Sequence, residues 1–257
     1  MIQRIWYYAL RAYVWAGLHF YFQKIIVKGR ENIPTDHPVL FTPNHQNAFI
    51  DALLVVTTNY RHTHFLTRAD VFKKGFVHWL LSTLNLIPVY RMRDGWSSLD
   101  KNQETFTRCT ECFEKNECVL IFPEGNHGMY RRLRPLSKGF TRVVFEALQK
   151  NSILKLSIVP VGLNYTSHTS FFGSVSIYYG KPIPVAEYFN QPQPQGANEL
   201  RHAVATSLKE LITHVADEIH YAEIIRQLEH QPVNYLDPIA TDTALRSISV
   251  NTVSIKA

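Results

Sequence analysis

The chain of 257 residues is short of charge, since Asp, Glu, Lys and Arg make up only 19% of it, against roughly 25% in typical soluble domains. Hydrophobic residues reach 46%, which excludes intrinsic disorder and suffices for one large domain or two small ones. The net charge is +6, and 15 Phe, 13 Tyr and 4 Trp are present. This combination predicts an apolar, basic surface that faces an anionic partner, and both a membrane and a nucleic acid fit that description.

Cysteine is also scarce. The odd number of three, Cys109, Cys112 and Cys118, excludes a fully paired disulfide framework and favours a reducing compartment. A zinc site built on Cys-x-x-Cys would need a fourth ligand and a knuckle turn. Residues 99–116 instead have the pattern of a polar helix, followed by a strand at 119–122, so we expect no metal there.

The first 28 residues contain four basic residues and no acidic one. Their longest uncharged run, residues 12–23, is shorter than the roughly 20 apolar residues that cross a bilayer, and no signal-peptide cleavage site follows. We predict that residues 1–28 form an interfacial aromatic helix at the cytoplasmic face of a membrane, which makes the protein peripheral or monotopic. The alternative is an aromatic helix packed on the domain's own core. The aromatic residues are Trp6, Tyr7, Tyr8, Tyr13, Trp15, Phe20, Tyr21 and Phe22.

Short apolar runs alternate with helical patterns along the rest of the chain. This predicts an α/β domain over residues 29–190, with a central mixed, largely parallel sheet flanked by helices. A Gln- and Pro-rich break at 191–196 introduces a predicted C-terminal helical extension and tail over residues 191–257. Beyond residue 231 we expect the tail to be extended over the surface or ordered only by a partner. The predicted strands are 39–42, 64–67, 86–90, 119–122, 157–163 and 175–179. The predicted helices are 47–58, 75–84, 99–116, 138–150 and 197–229.

The sharpest local pattern is Thr42-Pro-Asn-His-Gln-Asn-Ala-Phe-Ile-Asp51. Pro43 ends the strand because it has no N–H to donate, and Asn47 is a favourable N-cap for the next helix. Asp51 precedes an apolar run, so its carboxylate needs a buried partner, and His45 is the nearest candidate. A histidine oriented by a buried carboxylate is suited to act as a general base. Alternatively, Asp51 caps a backbone turn and His45 is an ordinary loop residue.

A second polar group follows the predicted strand at 119–122. Phe122-Pro-Glu-Gly125 shapes a loop at the carboxyl end of the sheet, where open α/β folds bind their ligands. Four cations come next and suggest a phosphate group as the ligand, with a solvated basic loop as the alternative. The loop Arg91-Met-Arg-Asp-Gly95 follows another predicted strand, so several strand ends point at one cleft. The four cations are Arg131, Arg132, Arg134 and Lys138.

Four blocks of the sequence resemble, in order and rough spacing, those of the glycerolipid acyltransferases, the PlsC-like family of lysophosphatidate and glycerol-3-phosphate acyltransferases. The resemblance covers about residues 28–185. Five residues separate His45 from Asp51 where the family usually has four, and because His45 precedes the N-cap, the loop can absorb the extra residue. The blocks are Asn44-His-Gln-Asn-Ala-Phe-Ile-Asp51, Ile87-Pro-Val-Tyr-Arg91, Phe122-Pro-Glu-Gly125 and Ile158-Val-Pro-Val161.

The resemblance implies transfer of a fatty acyl group from acyl-CoA or acyl carrier protein to a hydroxyl of a glycerol phosphate acceptor, converting lysophosphatidate to phosphatidate. His45 would deprotonate this hydroxyl while Asp51 orients the imidazole ring. No metal or bound cofactor is implied, since a base and a polarising environment suffice.

The resemblance also implies substrate contacts. Arg91, from the second block, would bind the acceptor's phosphate. Glu124 and Gly125, from the third block, would position the acceptor. Pro160, from the fourth block, would line the acyl chain or the cleft wall. An arginine in Thr67-Arg-Ala-Asp70 and the lysine of Lys138-Gly139 are similar to accessory positions of the family. The implied substrate-binding residues are Arg68, Arg91, Glu124, Gly125, Lys138 and Pro160.

A non-catalytic binder of anionic lipid headgroups is the alternative function, and it would need the arginines but neither His45 nor Asp51. Nucleic acid fits less well, because the sequence lacks a recognition-helix motif or an RNP-type aromatic pattern and its basic residues lie at loop ends. We therefore expect a membrane phospholipid surface, an acyl thioester and a lysophospholipid or glycerol phosphate as partners, and no nucleic acid.

Overall fold

An eight-stranded sheet organises residues 2–69, 85–90 and 98–248, which a computed structural model describes. In chain order the strands are β1 (Lys24–Lys28), β2 (Val39–Pro43), β3 (Thr63–Arg68), β4 (Leu86–Val89), β5 (Cys118–Leu120), β6 (Ser157–Tyr165), β7 (Ser174–Tyr179) and β8 (Ile183–Pro184). Their spatial order is β1–β7–β6–β2–β5–β3–β4, with β8 paired to β6. Strands β2 to β6 run parallel, whereas β7 and β8 are antiparallel to β6. The prediction of a mixed, largely parallel sheet is confirmed.

Helices cover both faces of this sheet. Side chains of α1 (Ile2–Tyr21) and α2 (Ala48–Thr58) build the core on one face. Those of α3 (Ser98–Glu114), α4 (Gly139–Lys150) and α6 (Gln195–Leu211) build the core on the other. The remaining elements are a 3-10 turn (Arg30–Asn32), α5 (Ala186–Phe189), α7 (Tyr221–Glu229) and α8 (Pro238–Ser247). The predicted helix at 75–84 lies outside the described residues.

Strand β2 is buried along its whole length between β5 and β6. Val39 and Phe41 belong to the core beneath α1 and α2, while Leu40 belongs to the core on the opposite face. A strand buried on both faces has a continuous apolar run instead of an alternating pattern. This central position carries the residues that follow Pro43 to the carboxyl edge of the sheet.

All three cysteines are buried and free. Burial raises the pKa of the Cys112 and Cys118 thiols to about 12. The thiols therefore stay protonated at neutral pH, and Cys109 and Cys112 pack in the core beside α4 while Cys118 packs beneath α1 and α2.

The N-terminal helix is shorter than predicted, because α1 ends at Tyr21 and residues 24–28 form an edge strand that pairs in parallel with β7. The helical interpretation of residues 24–28 was wrong because the β-branched side chains of Ile25 and Val27 pack against the core. Tyr7 and Leu18 bury one face of α1, so the helix packs on the domain while its other face is exposed. Among the described residues, every helix falls short of the length and apolar character that crossing a bilayer requires.

The C-terminal region differs from the prediction in two ways. The predicted helix 197–229 is two helices, α6 and α7, since the backbone N–H groups of Thr213 and Val215 bond to Asn164 Oδ1 and the Arg131 carbonyl instead of continuing the helix. Residues 238–247, expected to be extended, form α8, whose first turn is capped by the Asp237 carboxylate. Residues 249–257 lie outside the described part of the chain.

Candidate active site

The loop after β2 is held against the neighbouring strand β6. Asn44 is buried and bridges the two strands, since its Oδ1 accepts the Leu163 N–H at 2.7 Å and its Nδ2 donates to the Leu163 carbonyl at 3.1 Å. Pro43 is the last residue of β2, as expected. Asn44 therefore holds the backbone that leads into His45 against β6.

His45 and Asp51 are in contact. Nδ1 of His45 lies 2.9 Å from Oδ2 of Asp51, and the Asp51 side chain is fully buried while that of His45 is 13% exposed. Because an ionised carboxylate only accepts hydrogen bonds, Nδ1 carries the ring proton and donates it. Nε2 is left with its lone pair, which is the form of imidazole that accepts a proton from a substrate.

Three further donors hold the Asp51 carboxylate. Its Oδ2 accepts the backbone N–H groups of Gln46 at 2.8 Å and Asn47 at 2.7 Å, and its Oδ1 accepts the Tyr165 hydroxyl. Burial, reinforced by the charge of Asp51, holds the pKa of Tyr165 well above its ordinary value, so the hydroxyl stays protonated and donates. These contacts hold the Asp51 carboxylate in one position, from which it orients the His45 ring.

The start of α2 differs in detail from the expectation for an Asn N-cap. Asn47 lies at the N-cap, but its side chain makes no capping bond and instead donates to the His168 carbonyl at 3.0 Å. Asp51 supplies the acceptor for the loop's N–H groups in its place. Ala48 has a positive φ of 40°, and this sharp turn accommodates the five residues between His45 and Asp51.

The loop after β5 supports His45 from the other side. Phe122 stacks on the His45 ring with centroids 3.7 Å apart and planes 15° apart. Oε1 of Glu124 accepts the His45 backbone N–H at 2.8 Å, and its Oε2 accepts Nε of Arg134 at 2.7 Å. Gly125 has a φ of 69°, which only glycine adopts without strain. This loop therefore fixes the ring plane and the main chain of His45.

Glu124 is almost fully buried, with 2% of its side chain exposed. Burial raises the pKa of its carboxyl, and the ion pair with Arg134 opposes that shift. Both of its oxygens are engaged by protein groups, so the structure gives Glu124 a supporting contact to His45. Its implied contact with the acceptor stays a prediction.

Three of the four predicted phosphate-binding cations bind protein groups in the structure. Arg131 donates to the carbonyls of Tyr165 and Thr166, Arg132 pairs with Glu218, and Arg134 pairs with Glu124. Lys138 is exposed at the N-terminus of α4, and within the described residues no ion pair or hydrogen bond of its ammonium group is found. Lys138 is the member of this group best placed to contact an anionic ligand.

The other implied substrate contacts fall in different places. Arg68 is exposed at the carboxyl end of β3, on the same edge of the sheet as His45. Pro160 is buried within β6 opposite Thr42 of β2. Arg91 lies outside the described residues. Their binding roles stay predictions.

The residues that sequence reasoning missed come from the end of β6 and the loop after it. Tyr165 reaches Asp51 from β6, and Nε2 of His168 lies 3.1 Å from Oε1 of Gln46. Burial, followed by the charge of Arg131, lowers the pKa of His168 to about 4, so its ring is neutral at neutral pH. The one feature of the sequence that points to Tyr165 and His168 is that β6 is a predicted strand whose carboxyl end lies at the same end of the sheet as His45.

Comparison with known proteins gives the family. The profile of the acyltransferase family matches residues 24–164, a range that contains the His45–Asp51 pair and the Glu124 loop. The chain therefore belongs to the acyltransferase family. The family expected from the four sequence blocks is confirmed.

Individual relatives agree with this assignment. Over 67% of its length the chain is 30% identical to the 1-acyl-sn-glycerol-3-phosphate acyltransferase LPAT1, chloroplastic, of Arabidopsis thaliana. Over 65% it is 31% identical to the acyltransferase BAT2, chloroplastic, of Brassica napus, which carries the same activity in its name. The chain spans about half the length of these relatives, 47% and 45% respectively.

Among solved structures, the 1-acyl-sn-glycerophosphate (LPA) acyltransferase PlsC from Thermotoga maritima has a similar fold. The TM-score is 0.58 at 17% sequence identity, and the match covers 81% of each chain. At this identity the likeness establishes the fold.

Proposed function

We propose that the protein transfers a fatty acyl group from acyl-CoA or acyl carrier protein to the free hydroxyl of lysophosphatidate, giving phosphatidate. The observation that carries the proposal is the His45–Asp51 contact at the carboxyl edge of a parallel sheet, where such folds bind their ligands. The names of the plant relatives support the choice of acceptor.

The proposed reaction uses Nε2 of His45 as the general base. Nε2 takes the proton of the acceptor hydroxyl while the hydroxyl oxygen forms a bond to the thioester carbonyl carbon. The C–S bond then breaks, and the leaving thiolate takes the proton from the imidazolium, which restores the base. Asp51 stabilises the imidazolium that exists between these steps.

The proposed acceptor site lies beside His45. Lys138 and Arg68 are exposed cations on the loop and strand that end at this edge of the sheet, and together with Arg91 they would bind the acceptor's phosphate. Pro160 would form part of the cleft wall. Neither a metal ion nor a bound cofactor takes part in these proton transfers.

We further propose that the protein binds a membrane from its cytoplasmic face, as expected for an enzyme that acts on a lysophospholipid. The exposed face of α1 carries aromatic side chains, which suit the headgroup region of a membrane. Phe171 and Phe172, in the loop after β6, extend this apolar surface toward the catalytic loop, since Phe171 packs near Phe20 and His168 bonds to Gln46. The exposed aromatic residues of α1 and of the loop after β6 are Trp6, Tyr8, Tyr13, Trp15, Phe20, Phe171 and Phe172.

The reaction is tested by incubating membranes that contain the protein with labelled acyl-CoA and lysophosphatidate and following phosphatidate. His45→Ala should lower turnover roughly 10²–10⁴-fold, because a positioned general base contributes about that much. His220→Ala is the matched control, since His220 and Asp217 form a histidine–carboxylate pair at 2.7 Å on the surface, and we expect it to keep full turnover. Equal turnover in His45→Ala and wild type would refute the mechanism.

If the wild type forms no phosphatidate, thiol release is measured with glycerol 3-phosphate and other lysophospholipids, and with acyl carrier protein as donor. Thiol release that depends on His45 would support acyl transfer and would identify a different acceptor or donor. Absence of thiol release with every pair would overturn acyl transfer in favour of a lipid-binding protein that needs the cations but not His45.

The membrane surface is tested by cosedimentation with vesicles of phosphatidylcholine and phosphatidate. The double substitution Phe20→Ser and Phe171→Ser should weaken vesicle binding at least about tenfold, since each buried aromatic side chain contributes roughly 1.5–3 kcal/mol. Ile153→Ser is the control, because Ile153 is 91% exposed and precedes the amino end of β6. Equal losses in both variants would contradict this membrane face.

A further inference from the structure

Two histidines and a glutamate meet at the amino ends of the parallel strands, opposite to the carboxyl ends that carry His45. His62 immediately precedes β3, His64 is the second residue of that strand, and Glu117 immediately precedes β5. The two strands are parallel neighbours with Thr63 opposite Cys118, which brings the three side chains together. The proposed acyl transfer uses none of them.

The three side chains offer a compact set of ligand atoms. Nε2 of His64 lies 2.8 Å from Oε2 of Glu117, and Nδ1 of His62 lies 3.2 Å from Oε1. One ligand atom from each residue lies within 4.8 Å of the others. In a tetrahedral zinc site with bonds of about 2.0–2.2 Å, ligand atoms are roughly 3.4 Å apart. Small side-chain rotations therefore convert the present arrangement into a ligand set.

One atom of the cluster lacks a satisfying contact. Nδ1 of His62 is buried and, among the described residues, makes no hydrogen bond despite its proximity to the Glu117 carboxylate. Buried polar atoms without partners are rare, and an ion is one of the usual reasons for one. Nε2 of the same ring lies 3.0 Å from the amide nitrogen Nδ2 of Asn85. With that amide turned so that its oxygen accepts the Nε2–H, the Nδ1 lone pair is free, as metal-binding histidines are commonly oriented.

The cluster lies beneath the N-terminal half of α1. Nη2 of Arg4 is 3.2 Å from Oε1 of Glu117, and its side chain is 67% exposed, so the guanidinium can move into solvent when another cation arrives. The Tyr7 ring packs on His62 with centroids 4.4 Å apart, and the Tyr7 hydroxyl accepts the Thr63 N–H at 3.2 Å. A metal ion here would join β3 to β5 beneath α1.

We propose that His62, His64 and Glu117 form a Zn²⁺ site, with Nδ1 of His62, Nε2 of His64 and a carboxylate oxygen as protein ligands and water as the fourth. Two imidazoles and one carboxylate suit zinc, whereas magnesium and calcium prefer all-oxygen sites. The site would hold the amino ends of β3 and β5 together and would leave the chemistry at the opposite end of these strands unchanged.

Zinc binding is tested on the full chain after chelator treatment and dialysis, by competition with a chromogenic zinc indicator. We expect one zinc per chain, an affinity at least about tenfold weaker in His64→Gln and in Glu117→Gln, and no change in His220→Ala. Zinc at about 100 times its Kd should raise the melting temperature by roughly 5–10 °C, and magnesium or calcium should not. No binding, or equal binding by wild type and both ligand variants, would overturn the site.

Two measurements do not depend on how the ligand variants fold. Cobalt bound to the wild type should give the visible bands of a tetrahedral ion without a thiolate-to-metal charge-transfer band, and such a band would place the ion on the cysteines and overturn the proposal. Arg4→Gln should bind zinc roughly two- to fivefold more tightly, because it removes a competing cation. Weaker binding by Arg4→Gln would contradict a zinc ligand set in which Arg4 competes for Glu117.

Discussion

Both edges of the parallel sheet carry histidine paired with a carboxylate, but the two carboxylates are held differently. Asp51 is fully buried and receives two backbone N–H groups as well as His45 and Tyr165. Glu117 is 11% exposed and is contacted by the side chains of Arg4, His62 and His64.

The two carboxylates differ in whether the groups that contact them can be replaced by another cation. Backbone N–H groups are fixed by the fold, so Asp51 keeps one orientation and passes it to the His45 ring. Glu117 is instead contacted by side chains, and because that of Arg4 is 67% exposed, this carboxylate can give up a partner to another cation. The first arrangement is therefore suited to the proposed general base, and the second to the proposed zinc site.

The largest effect expected from this comparison is that of Asp51→Asn. The amide has one acceptor oxygen in place of two and directs N–H groups at donors, so it cannot hold both the loop and the His45 tautomer. We expect turnover to fall roughly 10²–10⁴-fold, measured by phosphatidate formation. Asp217→Asn, in the exposed pair with His220, is the control and should keep its turnover. A loss of less than about threefold in Asp51→Asn would mean that the orientation of His45 does not depend on the acid.

Tyr165→Phe sharpens the comparison at a single donor. The change leaves a buried lone pair on Oδ1 of Asp51 unsatisfied, which should lower the free energy of unfolding by about 1–3 kcal/mol, measured by urea denaturation. Tyr178→Phe is matched to it, because the Tyr178 hydroxyl donates to the neutral, part-buried carbonyl of Leu236. We expect a smaller loss there, and equal losses in the two variants would contradict a special role of the charged acceptor.

A smaller effect is expected from His168→Gln. Since the pKa of His168 is about 4 when folded and about 6.5 when unfolded, the unfolded chain binds more protons between these values. Wild-type stability should therefore fall as the pH drops from about 6.5 to 4. Glutamine at this position can still donate to Gln46 but does not titrate. The change in the free energy of unfolding between pH 6.5 and 4 should therefore be smaller in the variant by on the order of 1 kcal/mol, since the ring is partly exposed. Parallel stability curves for wild type and variant would contradict the assignment.

The parts of the fold that follow from local pattern were predictable. Buried apolar runs identified β2 and its neighbours, and Pro43 and Asp51 marked the loop that carries His45. Residues 24–28 were misjudged because Ile25, Ile26 and Val27 continue the apolar pattern of the preceding helix. Only pairing with β7, which comes far later in the chain, makes them a strand.

The partners of the site were not predictable from local pattern. Tyr165 meets Asp51, and Arg131 meets Tyr235, through contacts between distant parts of the chain. The sequence correctly identified a basic loop, but it did not show which of its arginines pair with protein carboxylates. Arg132 pairs with Glu218 and Arg134 pairs with Glu124. Asp237 followed by Pro238 is a typical start of a helix. The polar composition of the tail led us to expect an extended chain there instead.

The stacking of Phe122 on His45 has a consequence for the proposed reaction. In the resting protein the contact joins two neutral rings, but once His45 has taken the substrate's proton, the same contact places a cation over the π-electron face of an aromatic ring. Such contacts contribute about 0.5–2 kcal/mol. Phe122 would thus favour the charged intermediate over the starting state, and Phe122→Leu should lower kcat by roughly two- to thirtyfold with little change in KM. A rise in KM at constant kcat would instead make Phe122 a wall of the substrate cleft.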